Sequence, residues 1–150
     1  MNPALTTELQ LPPLALYIHI PWCIQKCPYC DFNSHAVKQG IPEQEYISHL
    51  LADLRQDLGY VQGRKISSIF IGGGTPSLFS PESIESLLSQ IRSLLPLVAE
   101  CEITLEANPG TFEKDRFRAF KNAGVTRLSV GVQSFNDAHL QALGRVHSAE

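Results

Sequence analysis

The spacing of apolar positions changes four times along the chain, from a period of two residues to a period of about 3.6. The period of two predicts four strands, at residues 14–20, 66–71, 102–106 and 127–133. The longer period predicts four helices, at residues 43–60, 81–95, 113–123 and 136–143. Residues 1–13 end in Leu-Pro-Pro and are expected to form an irregular lead-in.

Strands and helices that alternate along a chain predict parallel strands, in an open doubly wound sheet or in part of a β/α barrel. A doubly wound sheet is covered by helices on both sides, so its strands should be apolar on both faces. The first, third and fourth predicted strands instead have one apolar face, which we assign to the helices, and one small or polar face. Ser67 and Ser68 blur this alternation in the second strand. We therefore predict an α/β fold with a parallel, partial (β/α) barrel.

The number of units bears on domain organisation. Four strand–helix units cannot close a barrel, and an open half would leave two unpaired strand edges. We therefore expect residues 14–150 to be the N-terminal part of a barrel that continues in a longer protein.

The composition is that of a globular protein. Of the 150 residues, 43% are hydrophobic and 18% are charged, which is too apolar for a disordered chain. The formal net charge of -3 argues against binding to nucleic acid by phosphate neutralisation. No apolar run reaches the roughly 20 residues that span a bilayer, and the first residues lack the pattern of a signal peptide. A cytoplasmic protein that handles a small molecule or a cofactor is expected.

Three of the four cysteines lie in one loop, directly after the first predicted strand. Cys23, Cys27 and Cys30 have the spacing C-x3-C-x2-C, which indicates metal or cluster ligation rather than disulfides. Three thiolates suit a [4Fe–4S] cluster and leave its fourth iron open to a chelating ligand. A structural zinc site needs a fourth ligand, which His35 or Cys101 could supply, so zinc is kept as an alternative.

Three further features follow predicted strands. Gly72, Gly73 and Gly74 end the second strand, where missing Cβ atoms let a ligand reach the backbone, although a plain tight turn has the same pattern. Glu106 ends the third strand and Gln133 ends the fourth. The carboxyl ends of parallel strands meet at one rim, where β/α barrels build their sites. We therefore expect the cysteine loop and these residues to form one site.

Taken together, these motifs resemble the radical S-adenosylmethionine (radical SAM) superfamily. The cysteine loop is similar to its cluster loop, and residues 72–76 are similar to its methionine-binding turn. Residues 17–23 and 131–135 narrow the resemblance to the oxygen-independent coproporphyrinogen III oxidase-like branch. The resemblance extends from about residue 11 to residue 150 and implies a radical-SAM core barrel, with the rest of the barrel and a C-terminal domain absent from this chain.

The resemblance also implies a set of site residues. Cys23, Cys27 and Cys30 would hold three irons of a [4Fe–4S] cluster, and S-adenosylmethionine would chelate the fourth through its amino and carboxylate groups. In active members the reduced cluster splits the sulfonium into methionine and a 5′-deoxyadenosyl radical. The positions that match the family's contacts to S-adenosylmethionine are Tyr17, Gly73, Gly74, Thr75, Glu106, Gln133 and Arg145. Glu106 can receive an ammonium group and Arg145 can meet a carboxylate. No separate catalytic residue is assigned.

Two departures from the family pattern bear on function. The oxidases have a fourth cysteine two residues after the third, where this chain has Phe32. The oxidases also have a longer N-terminal extension, whereas only 16 residues precede Tyr17. Both differences favour a haem chaperone, which resembles the oxidase but binds haem as cargo and transfers it to recipient haemoproteins. Whether the chain is also an enzyme is left open.

Other functions are kept as alternatives. They are an oxygen-independent coproporphyrinogen III oxidase or dehydrogenase of porphyrin biosynthesis, a zinc-binding structural domain, and a radical SAM enzyme that modifies RNA. The acidic charge disfavours the last. The expected partners are haem, its recipient haemoproteins, and reduced flavodoxin or ferredoxin as electron donor, with peripheral membrane contact through the recipients and no nucleic acid.

Overall fold

A computed structural model describes residues 10–109 and 114–149. The strands are β1 (Leu14–Ile20), β2 (Trp22–Cys23), β3 (His35–Ala36), β4 (Ile66–Gly73), β5 (Leu97–Ala107) and β6 (Arg127–Val130). The α-helices are α1 (Glu43–Asp57), α2 (Pro81–Leu94), α3 (Lys114–Ala123) and α4 (Asp137–Ala142). All four predicted strands and all four predicted helices are therefore present. Of the predicted lead-in, residues 10–13 have no regular structure and residues 1–9 lie outside the described residues.

The main sheet has the strand order β1-β4-β5-β6, and every neighbouring pair is parallel. This order follows the chain without a reversal, whereas a doubly wound sheet reverses its order at a switch point. Crossovers of one hand then place all connecting helices on one face of the sheet. The prediction of a partial (β/α) barrel, rather than a doubly wound sheet, is confirmed.

Burial shows which face of each strand meets the helices. Ile20, Ile71 and Leu105 have no exposed surface and belong to one hydrophobic cluster with buried residues of the first three helices. Tyr17 lies on the opposite face of β1, with 58% of its surface exposed, and pairs in register with Phe70. The apolar face of the sheet therefore packs on the helices, as predicted, and the other face lines the inside of the partial barrel.

The second strand owes its blurred alternation to an irregular register. β4 pairs in register with both neighbours from Ser68 onwards, but the register shifts between Ile66 and Ser68 against each of them. Against β1, Ser67 is the extra residue, and its hydroxyl donates to the carbonyl oxygen of Leu14 at 3.0 Å. Against β5, the extra residues lie on β5, between Leu97 and Glu102. The bulge lets Ile66 and Ile69 both be buried although they are three residues apart.

Several predicted bounds were wrong. The helix predicted for residues 43–60 ends at Asp57 and continues as a 3₁₀ turn, and β5 begins at residue 97 rather than 102. The strand predicted for residues 127–133 ends at Val130, because the chain then turns: the amide of Val132 donates to the carbonyl oxygen of Val130 at 3.1 Å, and Gln133 has a left-handed φ of 66°. The start predicted for the third helix, residue 113, lies outside the described residues.

One small element was not predicted. β2 and β3 form a two-stranded parallel ladder at the two ends of the cysteine loop. The amide of His35 donates to the carbonyl oxygen of Pro21 at 2.7 Å, and the amide of Val37 donates to that of Cys23 at 2.8 Å. The ladder closes the loop at its base.

The N-terminus of α2 is held by two side chains. Ser80 is the N-cap, and its hydroxyl accepts from the amide of Ser83 at 3.2 Å. The carboxylate of Glu43, at the start of α1, accepts from the Ser80 hydroxyl at 2.7 Å and from its amide at 3.0 Å. These bonds join the first turns of neighbouring helices. Among the described residues, no helix combines the length and the apolar character that crossing a bilayer requires.

Substitution Ser80→Ala should lower the free energy of unfolding by about 1 kcal/mol, because it removes the cap of α2 and one hydrogen bond to Glu43. Urea denaturation followed by circular dichroism measures this change. Ser89→Ala, at an exposed position of the same helix, is the matched control and should change stability by less than about 0.5 kcal/mol. Equal stability of the two variants would contradict the capping role.

Candidate functional site

A cavity of about 160 Å³ lies where the cysteine loop meets the carboxyl ends of the strands. All predicted site residues line it except Tyr17 and Thr75; those that do are Cys23, Cys27, Cys30, Gly73, Gly74, Glu106, Gln133 and Arg145. The expectation that features at successive strand ends come together at one rim is therefore met for these residues.

The three loop cysteines are free thiols at different depths. Cys23 lies in β2 and is buried, whereas Cys27 and Cys30 are partly exposed. The amide of Cys30 donates to the carbonyl oxygen of Cys27 at 3.0 Å, which closes a turn between them. Cys30 Sγ lies 3.6 Å from the hydroxyl of Ser34. The loop thus presents three soft donors to one cavity.

Among the described residues, neither of the two fourth ligands considered for zinc joins the three loop thiols in the cavity. Within residues 10–109 and 114–149, no three His, Cys, Asp or Glu side chains converge on one ion position. Of the two fourth ligands considered, His35 lies in an exposed groove with Trp22, and Cys101 lies on β5; neither lines the cavity. Burial raises the pKa of the Cys101 thiol, and the charge of Arg92 opposes the shift. A thiol with a raised pKa is a poorer metal ligand.

The glycine turn passes against the start of the cysteine loop. Gly74 donates to the carbonyl oxygen of Ile20 at 2.8 Å, and Thr75 donates to that of Trp22 at 2.7 Å. A Cβ atom on Gly74 would lie 2.6 Å from the Trp22 oxygen, so only glycine fits. Gly73 has a φ of 120°, which side chains rarely permit. The turn therefore depends on its glycines, beyond what a plain tight turn requires.

Glu106 connects β5 to this turn. Its Oε2 accepts from the amide of Gly73 at 3.0 Å, across the inner face of the sheet. The carboxylate is thereby held in the cavity wall with acceptor positions left over for a second donor. Such a carboxylate can receive an ammonium group.

Tyr17 lies beside the cavity and is linked to the loop through His19. The Tyr17 hydroxyl is 2.9 Å from His19 Nδ1, and His19 Nε2 is 2.7 Å from the carbonyl oxygen of Asn33. Because Asn33 offers an acceptor, Nε2 donates to it, and Nδ1 of the neutral ring accepts from Tyr17. Burial raises the pKa of Tyr17, and the negative charge of Glu106 adds to the shift.

Thr75 lies one layer behind the cavity wall. It is almost fully buried, and its hydroxyl accepts from the side-chain amide of Asn108 at 3.0 Å. Asn108 follows β5 and lines the cavity itself. The position of Thr75 suits the support of neighbouring residues more directly than contact with a ligand.

Arg145 brings a positive charge to the opposite wall. Its Nη2 donates to the carbonyl oxygen of Gly131 at 2.7 Å and to Asn108 Oδ1 at 3.0 Å. Its Nη1 lies 3.5 Å from both Cys27 Sγ and the Tyr29 hydroxyl. The guanidinium therefore contacts the cysteine loop and the ends of two strands at once.

Sequence reasoning missed two residues of this arrangement. The sequence predicts no role for His19 or for Asn108. His19 lies within the motif at residues 17–23 and Asn108 lies two residues after Glu106, but their hydrogen-bond partners, Asn33 and Arg145, are 14 and 37 residues away in the chain. A single sequence carries no signal for such pairs.

The donors present fit a soft metal cluster together with a zwitterionic ligand. Three thiols suit iron–sulfur ligation, and no further protein ligand is needed if a bound molecule completes the set. The carboxylate of Glu106 and the guanidinium of Arg145 match an ammonium and a carboxylate group. The glycine turn exposes backbone polar groups between them.

Comparisons with known proteins agree with this site. The model of the Radical SAM superfamily matches residues 17–150. The heme chaperone HemW of Escherichia coli is 58% identical over 142 residues, and that of Haemophilus influenzae is 62% identical over 144 residues. These matches cover 95% and 93% of this chain but 38% of each relative. The structure of coproporphyrinogen III oxidase (HemN) from Escherichia coli superposes with a TM-score of 0.81 at 31% identity, over 91% of this chain and 31% of the oxidase chain.

Substitution Glu106→Gln should lower the pKa of Tyr17, because it removes a negative charge that disfavours the phenolate. The pKa should stay above the ordinary value of 10.0, since burial, the larger cause of the shift, remains. Tyrosinate absorbance, taken as the difference between each protein and its Tyr17→Phe form, measures the change.

Glu102→Gln is the matched control for this titration, because Glu102 lies on the same strand but pairs with Arg127 at 3.1 Å. It should leave the pKa of Tyr17 where it is. An unchanged Tyr17 titration in Glu106→Gln would contradict the electrostatic link.

Proposed function

We propose that this chain, which belongs to the radical SAM superfamily, is the part of a haem chaperone that holds a [4Fe–4S] cluster and S-adenosylmethionine. The observation that carries the proposal is that three loop thiols, the glycine turn, Glu106 and Arg145 line one cavity. The high identity to proteins named heme chaperones supports the rest. The chain spans 38% of the length of these relatives, so the activity of the whole protein is part of the proposal.

The roles proposed for the chain's residues follow from their chemistry. Cys23, Cys27 and Cys30 bind three irons. Glu106 accepts from the ammonium group of S-adenosylmethionine, and Arg145 donates to its carboxylate. Gly73, Gly74 and Gln133 supply the surrounding contacts to this molecule, Tyr17 adjoins them, and Thr75 supports the cavity wall from behind through Asn108. When bound, the cluster would supply the one-electron chemistry that acts on the sulfonium, and the part of these residues is to hold cluster and sulfonium together and to exclude water.

A cavity of about 160 Å³ is smaller than the roughly 300–1,000 Å³ of most small-molecule sites. We propose that the rest of the barrel supplies the remaining wall of the cavity. That part would correspond to the portion of the relatives that this chain does not cover. A C-terminal domain beyond the barrel would contribute to haem binding.

Phe32 supports the chaperone over the oxidase. It lines the cavity, and 65% of its surface is exposed. The oxidases, with the pattern C-x3-C-x2-C-x-C, have their fourth cysteine at this position. A phenyl ring adds no ligand to a cluster and presents an apolar face to the cavity. The second candidate, an oxygen-independent coproporphyrinogen III oxidase, is supported by the structural likeness to such an oxidase.

The proposed setting is the cytoplasm, with haem as cargo and haemoproteins as recipients. Recipients that are bound to a membrane would bring the chaperone into peripheral contact with that membrane. Reduction of the cluster requires an external one-electron carrier, for which reduced flavodoxin or ferredoxin is proposed. The net charge of -3 gives no support to a nucleic-acid partner.

Anaerobic reconstitution of the full-length protein should give a brown protein with about four irons and about four sulfides per chain. Cys23→Ala should lose most of this iron, because a buried ligand is removed. Cys101→Ala, the matched control, should keep it, since that thiol lies away from the cavity. A colourless wild-type protein with one zinc would overturn the cluster.

Haem added to the full-length protein should produce a Soret shift that saturates near one haem per chain. A second assay supplies coproporphyrinogen III, S-adenosylmethionine and a reductant, and should yield no decarboxylated product. A decarboxylated porphyrinogen with no saturable shift would establish the oxidase instead. Absence of both signals would contradict each candidate.

A further inference from the structure

The segment after α4 returns to the cysteine loop. A Cβ atom on Gly144 would lie 2.8 Å from Cδ of Pro28, so the two segments are in direct contact there. The next residue, Arg145, lies half-buried at the same junction. The contact places a residue from the end of the described chain beside the second cysteine of the loop.

The four hydrogen bonds of Arg145 divide into two pairs. Nη2 binds Gly131, just after β6, and Asn108, just after β5, at 2.7 and 3.0 Å. Nη1 binds Cys27 and Tyr29, both in the loop, at 3.5 Å. Because the guanidinium is planar and rigid, the bonds to the sheet fix where the second nitrogen points. That nitrogen is held toward the sulfur of Cys27.

A guanidinium stays charged at every physiological pH, so this contact combines a positive charge with an N–H···S hydrogen bond. The Tyr29 hydroxyl, 3.5 Å from the same nitrogen, is the second loop group in reach of Nη1. The carboxylate of Glu106 lines the same cavity but is bonded to the amide of Gly73. The charge of Arg145 therefore acts on the Cys27 sulfur without an acidic hydrogen-bond partner of its own among the described residues.

We propose that Arg145 raises the reduction potential of the cluster through its contact with Cys27. Reduction adds one electron from an external reductant to the cluster and breaks no bond, so the sulfur ligands become more electron-rich. A cationic hydrogen-bond donor on one of them stabilises the reduced form more than the oxidised form. The inference rests on the proposed function, because it requires a cluster bound by Cys27. It is separate from a contact of Arg145 with the carboxylate of S-adenosylmethionine.

The test is a redox titration of the reconstituted full-length protein without S-adenosylmethionine, with dithionite as reductant and the electron paramagnetic resonance signal of the reduced cluster as readout. Arg145→Met should shift the midpoint to lower potential by at least a tenfold change in the reduction equilibrium, about 59 mV for one electron. Arg145→Lys keeps the positive charge but not the planar guanidinium with its paired N–H donors, and should shift the midpoint potential in the same direction by a smaller amount. Arg118→Met, which removes an exposed arginine of α3, should leave it unchanged.

Iron and sulfide content is measured for each variant, so that potentials are compared at equal cluster occupancy. A midpoint equal to wild type in Arg145→Met would overturn the inference and leave the proposed function intact. If Arg145→Met assembles no cluster, Arg145→Lys decides, and an unchanged midpoint there would overturn it. A wild-type protein without a cluster would overturn the proposed function itself.

Discussion

The close approach of the glycine turn to the start of the cysteine loop is the constraint on which the site depends. Two backbone hydrogen bonds, from Gly74 to Ile20 and from Thr75 to Trp22, join the end of β4 to the chain just before Cys23. No side chain fits between them, since an added Cβ atom would lie 2.6 Å from a carbonyl oxygen. The three thiols are therefore placed by backbone contacts, which are shorter and more directional than the packing of side chains.

Around this junction, opposite charges enter from different parts of the chain. Glu106 comes from β5 and is held by the amide of Gly73, whereas Arg145 comes from the segment after α4 and is held by Gly131 and Asn108. Glu106 keeps an acceptor oxygen beyond this contact, whereas Nη1 of Arg145 lies 3.5 Å from Cys27 Sγ and from the Tyr29 hydroxyl; both charged groups line the same cavity. The arrangement suits a ligand that carries an ammonium and a carboxylate.

Local patterns predicted the elements better than their ends. Within the described residues, the apolar periods located every α-helix and every strand of the main sheet, because burial against one core imposes those periods on the sequence. The end of β6 and the bulge at Ser67 were not predictable in this way. Gln133 adopts a left-handed backbone that its residue type does not indicate, and Ser67 is skipped in the register of β4 with both neighbouring strands. Such features depend on partners far away in the sequence.

The sequence by itself determined the parallel order of units, the apolar face of each strand, and the thiols, glycines and charged residues at the strand ends. These are local properties, because the side-chain period and the type of each residue can be read from neighbouring positions in the sequence. Only the tertiary structure decided that Thr75 lies behind the wall, that His19 links Tyr17 to Asn33, and that Arg145 reaches Cys27 across 118 residues. Hydrogen bonds of this kind form between groups that only the folded sheet brings within 3.5 Å, so no local pattern encodes them.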